Sequence, residues 1–149
     1  METLAETARS IFLKRGGIHC MLPEWLVGLL PASGIWIGPQ YISRREFLWA
    51  AAIVGAQRAE EALIGQVSFE GGYLVNVCFR SQREAELMES FAKSLYLTVP
   101  ATILRTAIML GLHLPGVEIG VISQVRTEKF TEKELQRIWA KAITWLNNE

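Results

Sequence analysis

Cysteine and histidine are scarce, with two of each among 149 residues. Cys20 and Cys78 lie far apart in no metal-ligand spacing, and His19 and His113 have no second ligand near them. A metal site built on these residues is therefore not expected, and two reduced, mostly buried thiols are the plain reading. Long hydrophobic runs are also missing. No stretch reaches the roughly 18 apolar residues of a membrane-spanning helix, so no membrane partner is expected. A charge excess is missing too, because 15 Lys and Arg balance 15 Asp and Glu. Phosphate-binding proteins usually carry a basic surplus, since each contact gains from counterion release. Neutrality argues against tight non-specific binding to nucleic acid and leaves room for a locally basic face. No internal repeat, linker or low-complexity tract is visible.

What is present points to a folded chain. Half the residues are apolar and a fifth are charged, the balance of a globular protein with a sizeable core. Five tryptophans are many for this length, and aromatic anchors are enriched at interfaces. The run Ser43-Arg44-Arg45-Glu46-Phe47-Leu48 resembles a twin-arginine export signal. The residues before it read as structured elements, so the likeness is taken as accidental.

Residues 2–15 read as an amphipathic helix with Leu4, Ala8, Ile11 and Phe12 on one face, closed by Gly16-Gly17. Pro23 suits a first helical turn, and Glu24 to Ala32 reads as a short helix apolar on every side. Gly34 to Pro39 reads as a strand and turn, and residues 46–54 as a second strand despite Ala50-Ala51-Ala52. Ala56 to Ile64 reads as a helix. Gln66–Glu70 and Tyr73–Arg80 read as a hairpin around Gly71-Gly72. In its second arm Val75, Val77 and Phe79 alternate with Leu74, Asn76, Cys78 and Arg80, an apolar face against a mixed one. Ser81 can cap a helix with Glu84 at the capping-box position and a stripe of Leu87, Met88, Phe91 and Leu95. Pro100 to Leu112 makes another helix, and Pro115 to Arg126 is less regular. The last helix starts at Thr131, with Glu134 three residues on and Phe130 and Leu135 placed for a hydrophobic staple. Its buried face is predicted to be Leu135, Ile138, Trp139, Ala142 and Leu146. Strands mixed with helices in this order indicate α+β.

The stretch Leu26-Val27-Gly28-Leu29-Leu30-Pro31-Ala32-Ser33-Gly34 resembles the nine-residue signature of the LAGLIDADG homing endonucleases. Five positions match that signature and two more are conservative. Gly71-Gly72-Tyr73 running into Ser81, then Pro100 and Arg105, is similar to the family's second hairpin and following helices. Phe130-Thr131-Glu132-Lys133-Glu134-Leu135 through Ile138 to Asn147 resembles its closing helix. The resemblance implies an N-terminal helix and connector over 1–20 and a single LAGLIDADG-like domain over 21–149. It also implies two β-hairpins forming a curved antiparallel sheet.

In that family the signature acids hold the catalytic metal. Here Pro31 and Ser33 occupy their positions, and only Arg105 keeps a basic residue of the site. A proline offers no side-chain ligand and a hydroxyl is a poor substitute for carboxylate on Mg²⁺. The resemblance therefore implies no enzyme, no metal and no cofactor. The signature helix of the family also pairs with a second copy at close range. Gly28 and Ala32 supply the small residues and Leu26 and Leu29 fill space, so a homodimer or a pairing with another protein is implied. The family's saddle-shaped sheet implies a nucleic-acid face, DNA or structured RNA, with Tyr41, Arg44, Arg45, Gln66, Asn76, Arg80 and Arg105 as its candidates. Trp36 and Trp49 suit a protein interface or stacking on unpaired bases. By the same analogy the role is that of an intron-splicing helper or ribosome-associated subunit, in an intracellular, organellar setting.

Two other readings compete. Strand 74–79, helix 81–96 and the run from Leu97 to Ala107 resemble the ribbon-helix-helix repressors, whose paired strands enter the major groove. That reading makes residues 73–112 a DNA-binding regulator, with Leu74, Asn76, Cys78 and Arg80 facing outward. The third is an assembly protein with no nucleic-acid role, since a scaffold does not dictate a function.

Overall fold

The computed structural model describes residues 11–58, 72–112, 117–118, 121–122 and 128–148. Within them the fold is α+β, as the sequence indicates. The order is β1 (Ile18–Pro23), α1 (Glu24–Val27), β2 (Gly34–Ile37), β3 (Gln40–Ser43), α2 (Arg44–Ala56), β4 (Gly72–Val77), α3 (Gln82–Ser94), α4 (Pro100–Gly111), β5 (Val117–Glu118), β6 (Val121–Ile122) and α5 (Glu132–Asn147).

β1 and β4 form an antiparallel two-stranded ribbon, with Ile18 opposite Val77, Cys20 opposite Val75 and Met21 opposite Leu74. The predicted alternation in β4 holds. Val75 and Val77 are buried with Ile18, Cys20 and Leu22, while His19, Met21, Leu74 and Asn76 lie on the outer face. Gly16 and Gly17 bring the chain into β1, both at positive φ. A Cβ on Gly17 would fall 2.6 Å from the Val77 carbonyl oxygen, so glycine is required there. The only hairpin of this size is β2–β3, which forms a sheet of its own among the described residues. Among the described residues the strands therefore form separate ribbons and no single curved sheet, and β4 pairs with β1. Residues 66–70, the expected first arm, lie outside the described residues, as do 2–10 of the N-terminal helix and 59–64 of the helix expected after Ala56. β1 crosses the boundary set at residue 20, and Phe12 is fully buried with the rest of the core.

Two local expectations are overturned. Residues 44–56 form a helix, not a strand. Ser43 Oγ accepts the Glu46 amide at 3.2 Å, and Ser43-Arg44-Arg45-Glu46 has the spacing of a capping box. Alanine propensity then carries the helix through 50–52. The signature segment is the reverse case, because its helix stops at Val27, with Gly28 as cap. Leu29 and Leu30 donate to Leu26 and Val27 at 3.0 and 3.2 Å, a tightened turn that goes no further. Pro31 lacks an amide and disfavours helical backbone at Leu30, so the residue in place of an acid also ends the helix.

α2 is the centre of the molecule, buried from Phe47 through Ala56 apart from the half-buried Trp49. It packs on α4, α5, α3 and the ribbon. Its contact with α4 is unusually close. A Cβ on Gly55 would lie 2.7 Å from the carbonyl carbon of Ala107, and one on Gly111 would lie 2.6 Å from that of Ala51. Gly55 faces Ala107 while Gly111 faces Ala51, the reciprocal pattern of a two-fold interface. α4 also packs on β1 and α2 on β4. Each strand of the ribbon therefore rests on one of the two helices that meet at this seam.

The remaining helices follow their predicted signals. Ser81 Oγ accepts the Glu84 amide, and Pro100 opens α4. Thr131 and Glu134 form a reciprocal capping box at 3.2 and 3.0 Å. Leu135, Ile138 and Ala142 of α5 are buried, Trp139 is half-buried, and Leu146 is exposed, contrary to its predicted place in the core.

Candidate nucleic-acid interface

The outer face of the β1–β4 ribbon gathers most of the polar residues singled out in the sequence. At the end of that face next to the Gly16-Gly17 turn stands the cross-strand pair His19 and Asn76. Asn76 Nδ2 lies 3.1 Å from His19 Nε2 and donates to the Gly16 carbonyl at 2.6 Å, so the turn and both strands are tied at one point. Beside this pair, Met21 and Leu74 make an exposed apolar cross-strand contact.

Arginines surround the ribbon. Arg44, the first residue of α2, lies over the Tyr73 ring at 5.1 Å. Its exposed neighbour Arg45 donates to Cys78 Sγ at 2.6 Å. Arg80 follows β4 and is exposed. Arg105, on α4, donates from Nε to the Met21 carbonyl at 2.7 Å, on the edge of β1 that β4 does not pair. Arg44, Arg45, Asn76, Arg80 and Arg105 are thus brought together around one element. Tyr41 is not among them, because it sits on β3 with its ring 5.2 Å from Trp36. Gln66 lies outside the described residues.

His19 and Met21 are the residues that sequence reasoning missed. The signal was present, since Ile18, Cys20 and Leu22 alternate with His19 and Met21 in the phase of a strand. A segment read only as a connector hid it. The two cysteines behave differently. Cys20 points into the core, and burial pushes its thiol up to about 12, with Arg105 pulling slightly the other way. Cys78 is half-buried beside Arg45.

The signature segment has a different geometry from the one its resemblance implies. Leu26 and Leu29 are buried within the same chain, and the Phe130 amide donates to the Leu29 carbonyl at 3.1 Å. Gly28, Ala32 and Ser33 are exposed and Pro31 is half-buried. A single helical turn offers no face for pairing along its length. A close helix contact of the kind expected of Gly28 and Ala32 is found inside the chain, between α2 and α4. Among the described residues no three His, Cys, Asp or Glu side chains gather as a metal-ligand set.

No protein-family model matches the chain, and no curated protein or solved structure is significantly similar to it.

Proposed function

We propose that this chain is a DNA-binding protein that lays the β1–β4 ribbon into a major groove, in the manner of the ribbon-helix-helix repressors that residues 73–112 resemble. The observation that carries the reading is the pairing of β1 with β4 above the reciprocal contact of α2 and α4. In this reading one chain supplies both halves of the DNA-binding unit. The segment before residue 72, which the repressor likeness left unexplained, then provides the second strand and its supporting helix.

A two-stranded ribbon fits the major groove of B-form DNA, whereas the deep, narrow major groove of A-form RNA excludes it. Duplex DNA is therefore the partner of choice over RNA. Asn76, on the outer face, has the amide that pairs with the edge of adenine, and His19 stands opposite it. Arg44, Arg45, Arg80 and Arg105 flank the ribbon where phosphates would run. Phosphate contacts set position and base contacts set sequence, so the arginines supply affinity and Asn76 the preference. A local ring of four arginines reconciles binding with a net charge of zero.

The test is an anisotropy titration of the full chain against a random duplex pool, a selected duplex and an RNA hairpin across a salt series. Four phosphate contacts predict that log K falls with log salt at a slope of about −3 to −4. Arg80→Ala should reduce that slope by about 1, and Asn76→Ala should flatten the preference among selected sequences with little change in slope. Equal or tighter binding to RNA, or no binding to either duplex at low salt, would overturn the proposal.

A further inference from the structure

A cleft of ≈ 690 Å³ lies beside the ribbon, between the start of α2, the end of β4, the start of α3 and the last turns of α5. Its size is that of a site for a small organic ligand. One side is aromatic and apolar: Trp49 and Trp139 stand edge to face with centroids 6.0 Å apart, and Leu146 extends that wall. The Trp49 ring is held in place. Its Nε1 donates to Glu84 Oε1 at 2.5 Å, and Glu84 Oε2 accepts Ser81 Oγ at 2.6 Å. Glu84 is buried and both its oxygens are used, so it orients the wall and leaves no carboxylate oxygen for a ligand cation.

The cleft is also lined by Arg45 and Arg80. The hydrogen-bond acceptor that Arg45 meets is the Cys78 sulfur, a weak one. Arg80 has no partner among the described residues. Two guanidinium forks without a carboxylate partner among the described residues, in one cleft with a fixed indole wall, match a planar ring that ends in a carboxylate. We infer that this cleft binds a small aromatic carboxylate, its ring against Trp49 and Trp139 and its acid group on Arg45 and Arg80. Glu46, also lining the cleft, separates two sources of that chemistry. It would engage the ammonium of an aromatic amino acid and be neutral or unfavourable toward a simple aromatic acid.

The inference does not rest on the DNA reading, and its test uses no DNA. Calorimetry would measure binding of 2-naphthoate, L-tryptophan and the uncharged 2-naphthamide to the full chain. Iodoacetamide labelling of Cys78, read by mass spectrometry, would report occupancy, because Cys78 lines the cleft and the buried Cys20 serves as an unreactive internal reference. At least one of the two acids should bind with Kd of about 10–1,000 µM, as for a ligand of this size. It should slow Cys78 labelling, and the amide should bind about 10-fold more weakly or worse. Tighter binding of L-tryptophan that is lost in Glu46→Gln selects the amino-acid source, and tighter 2-naphthoate selects the simple acid. In the Arg45→Gln/Arg80→Gln double variant, both of whose sites are exposed, the acid should fall to the affinity of the amide. Failure of both acids to bind, equal binding of acid and amide, or an unchanged affinity in the double variant would overturn the inference.

Discussion

Gly111→Ala tests the seam on which the paired architecture depends. The new methyl would run into the Ala51 carbonyl oxygen and would stand 2.6 Å from the carbonyl carbon and 3.0 Å from the Cα. Carbon atoms pack at about 3.5–4.0 Å and the oxygen is struck harder still, so α2 and α4 must part by more than about 1 Å. The atoms struck are backbone and cannot swing aside, which places the overpacking penalty near the upper end of its usual range, about 3 kcal/mol. Alanine in a helix recovers about 1 kcal/mol over glycine. The net loss is about 2 kcal/mol, or a fall in Tm of about 4–8 °C for a chain of this size. Gly55→Ala meets Ala107 in the same way and should cost a similar amount. The double variant should lose less than the sum, because one separation of the helices relieves both clashes. Gly28→Ala is the control. Its nearest neighbour would be 3.6 Å away and its site is exposed, so its stability should change by about 0.5 kcal/mol or less. Urea denaturation of the four variants beside the parent decides the matter. A Gly111→Ala chain as stable as the parent, or one that gains about 1 kcal/mol as helix propensity alone would give, refutes the close seam.

Three further outcomes are expected. Removing the Glu84 carboxylate in Glu84→Ala strips both Trp49 Nε1 and Ser81 Oγ of their acceptor, and should cost about 2–3 kcal/mol with a shift in tryptophan emission. An unchanged spectrum would show that Trp49 is not anchored there. Thr131→Ala breaks the capping box of α5 and should lower stability by about 1 kcal/mol in a urea titration, with Thr131→Asp close to the parent. The Cys20 thiol titrates near 12 when folded against 9.0 unfolded, so its contribution to stability is intact below pH 9 and is lost as pH rises from 9 through 12. Cys20→Val should therefore lose less stability than the parent between pH 8 and pH 10.5, and parallel losses would exclude that thiol as the cause.

The legible parts of this sequence were those governed by local rules. Thr131 with Glu134, Ser81 with Glu84, Pro100 at a helix start and the alternation of Val75 and Val77 each act within a few residues, and each placed its element. The misread parts were settled by competition or by distance. Residues 46–54 carry enough β-branched and aromatic side chains to imitate a strand, and the deciding signal was the Ser43 cap just upstream. In the signature segment, apolar content outweighed Pro31 in the reading, while in the fold the missing amide and the restriction on Leu30 decide the outcome. The partner of β4 was out of reach of local rules, because β1 lies far earlier in the chain, with Pro23 opposite Gly72 and Ile18 opposite Val77, and nothing in β4 specifies it. Of the candidate interface, the arginines were visible as residue types. Their gathering around one ribbon depends on that same distant pairing.

The pairing of His19 with Asn76 and of Met21 with Leu74 has a consequence for how any partner is met. In a ribbon built from two identical chains, each outward residue recurs on the other strand, and a bound molecule can be turned end for end without loss. Here the two strands carry different outward residues, His19 and Met21 on β1 but Leu74 and Asn76 on β4, and Arg105 braces the edge of β1. The surface has polarity: one direction of approach is not equivalent to its reverse. A molecule held on it is held one way round.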